Sequence, residues 1–284
     1  MAAKITLRPF GSTRVHVSCI GQGTWKMEGA SAGVAALRRG LDLGLTHIDT
    51  AEMYGSGAAE KLVGKAIEGR RDDVFLVSKV LPGNASKSGT MAACEKSLAH
   101  LRTDRLDCYL LHWRGSVPLE ETISAFDLLV RQGKILSWGV SNFDAQDLAE
   151  TAAIAGAGHP VCNQVLYHLK ERAIEHAVLP WCRKHGCAVV AYTPFGQSPA
   201  IFDGASKPAQ ALNDIAAAHG AASRQIALRF LLRNSEVFVI PKASDLGHVA
   251  ENAAASAIDL SDAEIAGIDA AFPLGKAPRE LPMI

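Results

Sequence analysis

The sequence predicts an α/β protein, a (β/α)8 barrel preceded by an N-terminal β-hairpin and carrying extra helices. Three observations predict it. Eight short runs rich in Val, Ile and Leu recur along the chain, as strands buried on both faces require. Each run is followed by a segment of helical periodicity. The 284 residues suit eight strand–helix repeats, for which ~250 is usual. No linker or low-complexity stretch divides them, so residues 1–284 are expected to form one domain.

Taken in order, "ITLRPFGSTRVHV" (5–17) alternates about a Gly-Ser turn and reads as the hairpin. The first barrel strand is expected in "VHVSCIG", beginning at Val15. "LTHID" then ends at Asp49, "VFLVSK" at Lys79, "LDCYLLH" at His112 and "ILSWGVSN" at Asn142. "VCNQ" ends at Gln164, "CAVVAYT" at Thr193 and "VFVIPK" at Lys242. Helices are expected near 33–43, 58–67, 88–100, 144–156, 173–185, 208–219, 222–233 and 245–255. In "SVPLEETISAFDLLVRQGK", Ser116 is the expected N-cap, with Pro118 in the first turn and Gly133 as the stop. Ser261 and Glu264 have capping-box spacing. Two segments stand outside the alternation: 194–207, long enough to be a functional loop, and the tail from about 272.

Acids and bases balance at 29 each, so no global field favours nucleic acid or an anionic membrane. No apolar run reaches the ~18 residues a membrane helix needs, and no N-terminal segment resembles a signal peptide. Six cysteines (Cys19, Cys94, Cys108, Cys162, Cys182 and Cys187) contain no Cys-x-x-Cys, which suits reduced, buried thiols in a cytoplasmic protein. His47 and His112 lack metal-ligand spacing, so no metal is expected.

The polar residues fall at the carboxyl ends of the strands. Asp49, Lys79, His112, Ser141 with Asn142, Asn163 with Gln164, Tyr192 with Thr193, and Lys242 each close an apolar run. Any one of these is simply where a strand meets water. A barrel, however, brings all seven ends into one ring. Tyr54 follows Asp49 by five residues. An ammonium near a phenol lowers its pKa, and Asp49 can balance the charge of Lys79. A neutral histidine can orient a carbonyl oxygen. The set is expected to be a polarised proton donor aimed at an oxygen that becomes negative. None of these groups delivers hydride, so a cofactor would have to.

The motifs "GQGTW" (21–25), "HIDTAEMYG" (47–55), "VSK" (77–79), "YLLHW" (109–113), "WGVSNF" (138–143), "NQVLYHL" (163–169), "AYTPFG" (191–196), "IPKAS" (240–244) and "ENAA" (251–254) together resemble the aldo-keto reductase family over nearly the whole chain. The compact bacterial, methylglyoxal-reducing type is the nearest in form. That resemblance implies an oxidoreductase with Tyr54 as general acid, Lys79 and Asp49 tuning it, and His112 orienting the carbonyl. Ser141, Asn142 and Gln164 would hold the nicotinamide carboxamide, and Tyr192 would stack on its ring. Thr193, Phe195 and Gln197 would span the pyrophosphate. Lys242, Ala243, Ser244 and His248 would form the adenosine-phosphate site, with Glu251 and Asn252 at the adenine. Gly23, Thr24 and Ile240 fall among the cofactor contacts. Trp25 would serve cofactor and substrate, and Trp113 the substrate.

Many members carry an arginine where this chain has His248. NADPH is therefore the expected cofactor, by a narrower margin than in an arginine-bearing relative, and NADH an open second, because imidazole cannot form the guanidinium fork. The expected partner is a small carbonyl substrate met by a monomer. A cofactor-sensing regulatory module and a metal-dependent barrel hydrolase are the alternatives. The intact Asp49, Tyr54, Lys79 and His112 set speaks against the first, and the lack of a His-x-His against the second.

Overall fold

Eight parallel strands follow one another in chain order around the molecule. The structure is a computed structural model and describes residues 5–29, 31–198, 200–203 and 206–284, with backbone alone at 200 and 203. β1 (Leu7–Pro9) and β2 (His16–Ser18) pair antiparallel as a hairpin. The barrel strands are β3 (Gln22–Gly23), β4 (His47–Asp49), β5 (Phe75–Val80), β6 (Cys108–Leu111), β7 (Trp138–Ser141), β8 (Cys162–Leu166), β9 (Ala188–Tyr192) and β10 (Val237–Val239). Each pairs parallel with its sequence neighbour. A parallel bridge between Ile20 and Val239 joins the two ends of the sheet, carried by Val239 N–H on Cys19 O at 2.9 Å and Gly21 N–H on Val239 O at 2.8 Å. The expected (β/α)8 barrel and its hairpin are present.

The first barrel strand departs from expectation. Residues 16–18 are taken by the hairpin ladder, and the barrel edge begins only at Ile20. This edge is short and glycine-rich because the closing strand comes very near. A Cβ at Gly23 would lie 2.6 Å from the Ile240 carbonyl oxygen.

Helices α1 (Gly33–Asp42), α2 (Ala58–Ala66), α3 (Lys87–Leu101), α4 (Leu119–Arg131), α5 (Ala145–Ala155) and α6 (Val178–His185) follow their strands. Then come α7 (Ala200–Asp203), α8 (Lys207–Ala218), α9 (Ser223–Leu231), α10 (Leu246–Ala254) and α11 (Asp262–Ala271). In α4 the buried stripe is Leu119, Thr122, Ile123, Phe126 and Leu129, at helical spacing. Ser116 does not cap α4. Pro118 occupies the N-cap, so the first turn has no side-chain cap, and Gly133 ends the segment at φ 69°. The Ser261–Glu264 capping box forms as expected. The 194–207 segment is not all loop, since α7 interrupts it; positions 199, 204 and 205 lie outside the described residues.

The amino end of the barrel is plugged by aromatic rings. Phe10, delivered by the hairpin, packs 4.7 Å from Phe75, 5.1 Å from Phe238 and 5.9 Å from His47, ring centre to ring centre. The turn that aims it needs Gly11 (φ 57°), where a Cβ would lie 1.9 Å from the Val161 carbonyl oxygen. His47 is buried with neither ring nitrogen hydrogen-bonded, and burial pushes its pKa down to about 3. The six cysteines are buried and free. Among the described residues no helix is long and apolar enough to cross a membrane, and no cluster of three metal-ligating side chains exists.

Candidate active site

The carboxyl end of the barrel is open where the amino end is plugged. Strand register brings Asp49, the last residue of β4, level with Val77 of β5, so that Lys79 stands one pleat further out on the same side. Lys79 is fully buried, and Asp49 is 1% exposed. The Lys79 ammonium donates to Asp49 Oδ1 at 2.6 Å, to the Thr50 carbonyl at 2.8 Å and to the Tyr54 hydroxyl at 3.3 Å. Tyr54 opens a short 3-10 turn after β4 in which Gly55 and Ser56 are left-handed, and this sharp reversal folds the ring back over the strand ends. Gln164 Nε2 donates to the second oxygen of Asp49 at 2.7 Å. The carboxylate therefore has a partner on each oxygen, which is what a buried charge requires.

Electrostatics follow from this geometry. Burial alone would strip Lys79 of its proton, but Asp49 and Tyr54 outweigh it and raise the ammonium above its ordinary value. Burial pushes the Tyr54 phenol up, and Asp49 adds to the rise while Lys79 opposes it. This corrects the expected lowering: the lysine limits the rise that desolvation imposes but does not reverse it. His112, just past β6, stands edge-on to Tyr54 with ring centres 5.8 Å apart. Burial, with a smaller contribution from Lys79, drives its pKa down to about 2, so the imidazole is neutral. Its Nδ1 is buried without a partner.

Around this group runs a cleft of about 740 Å³. Gly23, Thr24 and Trp25 line one wall, and Ser141, Asn142 and Gln164 the floor. Tyr192, Thr193, Phe195 and Gln197 line the opposite wall, continuing to Ile240 and Lys242. Asn142 is held on every side: its Nδ2 donates to His112 O and Ser141 Oγ, and its Oδ1 accepts from the Tyr192 hydroxyl at 2.8 Å. Three non-glycine residues on the cleft, Lys26, Asn142 and Thr193, have φ between 51° and 59°. Left-handed backbone there costs of order 1 kcal/mol each and is held by the surrounding bonds.

The structure brings the four expected catalytic side chains together. It also gathers Lys242, whose ammonium donates to Ser244 Oγ at 3.1 Å. Ala243, Ser244, His248, Glu251 and Asn252 do not line the cleft; they lie on and just before α10, which follows Lys242 in the chain. There Asp245 caps the helix by accepting from the His248 backbone N–H, and the His248 side chain is exposed. Several lining residues have no sequence signal: Lys26, Arg224, Met283 and Ile284. The last two come from the tail, which returns to the carboxyl end.

Residues 19–272 match the Aldo/keto reductase family. The chain belongs to this family. Over 274 residues it is 48% identical to methylglyoxal reductase YeaE of Escherichia coli, covering 95% of this chain and 96% of that one. It is 32% identical to glyoxal reductase of Bacillus subtilis over 260 residues, 90% of this chain and 89% of that one. A crystal structure of an aldo-keto reductase from Klebsiella pneumoniae in complex with NADPH superposes with a TM-score of 0.90 at 44% identity, covering 99% and 100% of the two chains. In this reductase family member, the cleft offers what a nicotinamide dinucleotide needs. Gln164 Oε1 has no protein partner among the described residues, the Tyr192 ring faces the cleft, and Lys26, Lys242 and Arg224 supply cations along its length.

Proposed function

We propose that the protein is an NADPH-dependent reductase of small aldehydes, dicarbonyls and ketones, acting as a monomeric, cytoplasmic enzyme formed by residues 1–284 as one unit. The observation that carries this reading is the position of one ammonium: Lys79 Nζ touches both Asp49 and the Tyr54 hydroxyl, beside a neutral His112 in an open cleft. Its relatives support the substrate class, since one is named a methylglyoxal reductase and another a glyoxal reductase. The balanced charge of the chain supports a small-molecule partner and no nucleic acid.

Bound NADPH supplies hydride to the carbonyl carbon. The substrate oxygen sits between the Tyr54 hydroxyl and an N–H of neutral His112, both of which donate to it. As that oxygen gains charge, these preorganised donors stabilise it. Tyr54 then gives up its proton. An alkoxide is a far stronger base than a phenolate, so the transfer runs downhill although burial has raised the phenol. Lys79 stabilises the phenolate left behind, and Asp49 keeps Lys79 charged. Ser141, Asn142, Gln164 and the ring of Tyr192 fit the nicotinamide end, and Lys242 with Ser244 the phosphate end. His248 adds no guanidinium there, so NADPH is favoured over NADH by a modest margin. Trp25 and Met53, both more than a third exposed, give the rim an apolar surface suited to small uncharged carbonyls.

The test is turnover by the purified protein with a panel of small aldehydes and dicarbonyls, methylglyoxal among them. Several should be reduced with NADPH, with a higher kcat/KM than with NADH. Background turnover together with tight NADPH binding would replace this reading with a cofactor-sensing module, and a clear NADH preference would overturn the cofactor assignment.

A further inference from the structure

Arg224, the second residue of α9, lines the same cleft as Tyr54 and Lys242. Its guanidinium lies 5.2 Å from the ring centre of Phe195 and 4.9 Å from that of Phe202. Those two rings meet edge to face, 5.8 Å apart at 87°, and present a corner rather than a single platform. Several other arginines of this barrel are paired with carboxylates. Arg172 and Arg233 share Glu175, and Arg114 reaches Asp147 and Glu150. Among the described residues Arg224 has no carboxylate within ion-pair distance and no hydrogen-bond acceptor.

The backbone that carries Arg224 is firmly placed. Its neighbour Gln225 accepts from Ala222 N–H at 2.8 Å and donates to the Glu251 carbonyl at 3.0 Å, tying the first turn of α9 to α10. Among the described residues Lys242 likewise has no carboxylate partner, and its ammonium donates to Ser244 Oγ. Two cations with no carboxylate partner among the described residues thus line the cleft. A guanidinium whose contacts are aromatic rings keeps N–H donors for a ligand, and their fork matches two oxygens of a phosphate.

We propose that Arg224 is a phosphate-binding residue for the dinucleotide, set in place by Phe195 and Phe202 and acting from a helix rather than from a strand end. The proposal rests on the reading of this cleft as a dinucleotide site. The shared chemistry is a phosphate, which NADPH carries both in its pyrophosphate and on its 2′-oxygen, whereas NADH carries only the pyrophosphate.

The experiment measures Kd for NADPH and NADH by fluorescence titration at low and high salt, with wild type, Arg224→Ala and Arg224→Lys, and KM for NADPH in turnover. Arg224→Ala should weaken NADPH binding by about tenfold or more and flatten its salt dependence. Arg224→Lys should recover part of the loss, and the loss should show in KM for NADPH. An equal loss for NADH assigns the pyrophosphate, and a loss confined to NADPH assigns the 2′-phosphate; either result supports the proposal. Affinities within about twofold of wild type for both cofactors would overturn it. So would a loss that lysine does not restore and salt does not modulate, since that would be a structural effect. If wild type itself binds neither nucleotide, the reading of the cleft fails and takes the proposal with it.

Discussion

At the scale of single residues, the chemistry turns on how burial is balanced at Lys79. A lysine with no exposed surface holds its proton because Asp49 sits at 2.6 Å, and Asp49 tolerates burial because Lys79 and Gln164 satisfy both its oxygens. Tyr54 and His112 are each driven toward their neutral forms by desolvation. A neutral phenol and a neutral imidazole are the forms that donate to a carbonyl. The consequence is a pH profile without an acid limb near neutrality. Carbonyl reduction, followed as kcat/KM, should be flat from about pH 5 to about pH 9 and fall on the alkaline side as Tyr54 loses its proton. An inflection near the ordinary histidine value of 6.5 would mean that His112 titrates in the working range, contrary to its burial.

At the scale of elements, the strands from β4 onward were legible because each is an apolar run closed by a polar residue, and helix starts were legible where a cap has its partner three residues on. Ser261 is such a case: its Oγ accepts from Glu264 N–H, and its own N–H donates to Glu264 Oε2 at 2.8 Å. Ser261→Ala should therefore destabilise the protein by ~1 kcal/mol, read as a lower urea midpoint at unchanged slope. No change in midpoint would mean that α11 contributes nothing to the cooperative unit. The first barrel strand escaped the pattern because "GQG" has almost no side chains to show a period, while the Val-rich stretch before it was claimed by the hairpin. Ser116 misled because a capping residue type two positions early looks the same in sequence as one in place. Of the site, Asp49, Lys79 and His112 could be found from the strand ends, and Tyr54 from its place five residues beyond one of them. Arg224 and Met283 could not, since a helix turn and a tail reach the cleft by tertiary packing, which leaves no periodic trace.

At the scale of the whole molecule, the barrel is a tube sealed at one end and reactive at the other. The seal is Phe10, His47, Phe75 and Phe238. His47 has its folded pKa at about 3 against an ordinary 6.5, so below pH 6.5 the unfolded chain takes up a proton that the folded barrel refuses. Its contribution to stability is complete above that value and is lost as pH falls toward 3, at about 1.4 kcal/mol per pH unit. His47→Phe should remove that share of the acid-side slope in urea unfolding between pH 6 and 4 (both values approximate); an unchanged slope would show that the seal does not exclude the proton. The reactive end is the centre of the account, and one measurement tests it most directly: kcat for methylglyoxal reduction by Tyr54→Phe, with NADPH affinity measured alongside. The account predicts a fall in kcat of about 10²–10⁴-fold with NADPH binding retained. A variant that turned over within about threefold of wild type would contradict it, because the proton would then come from somewhere other than the hydroxyl beside Lys79.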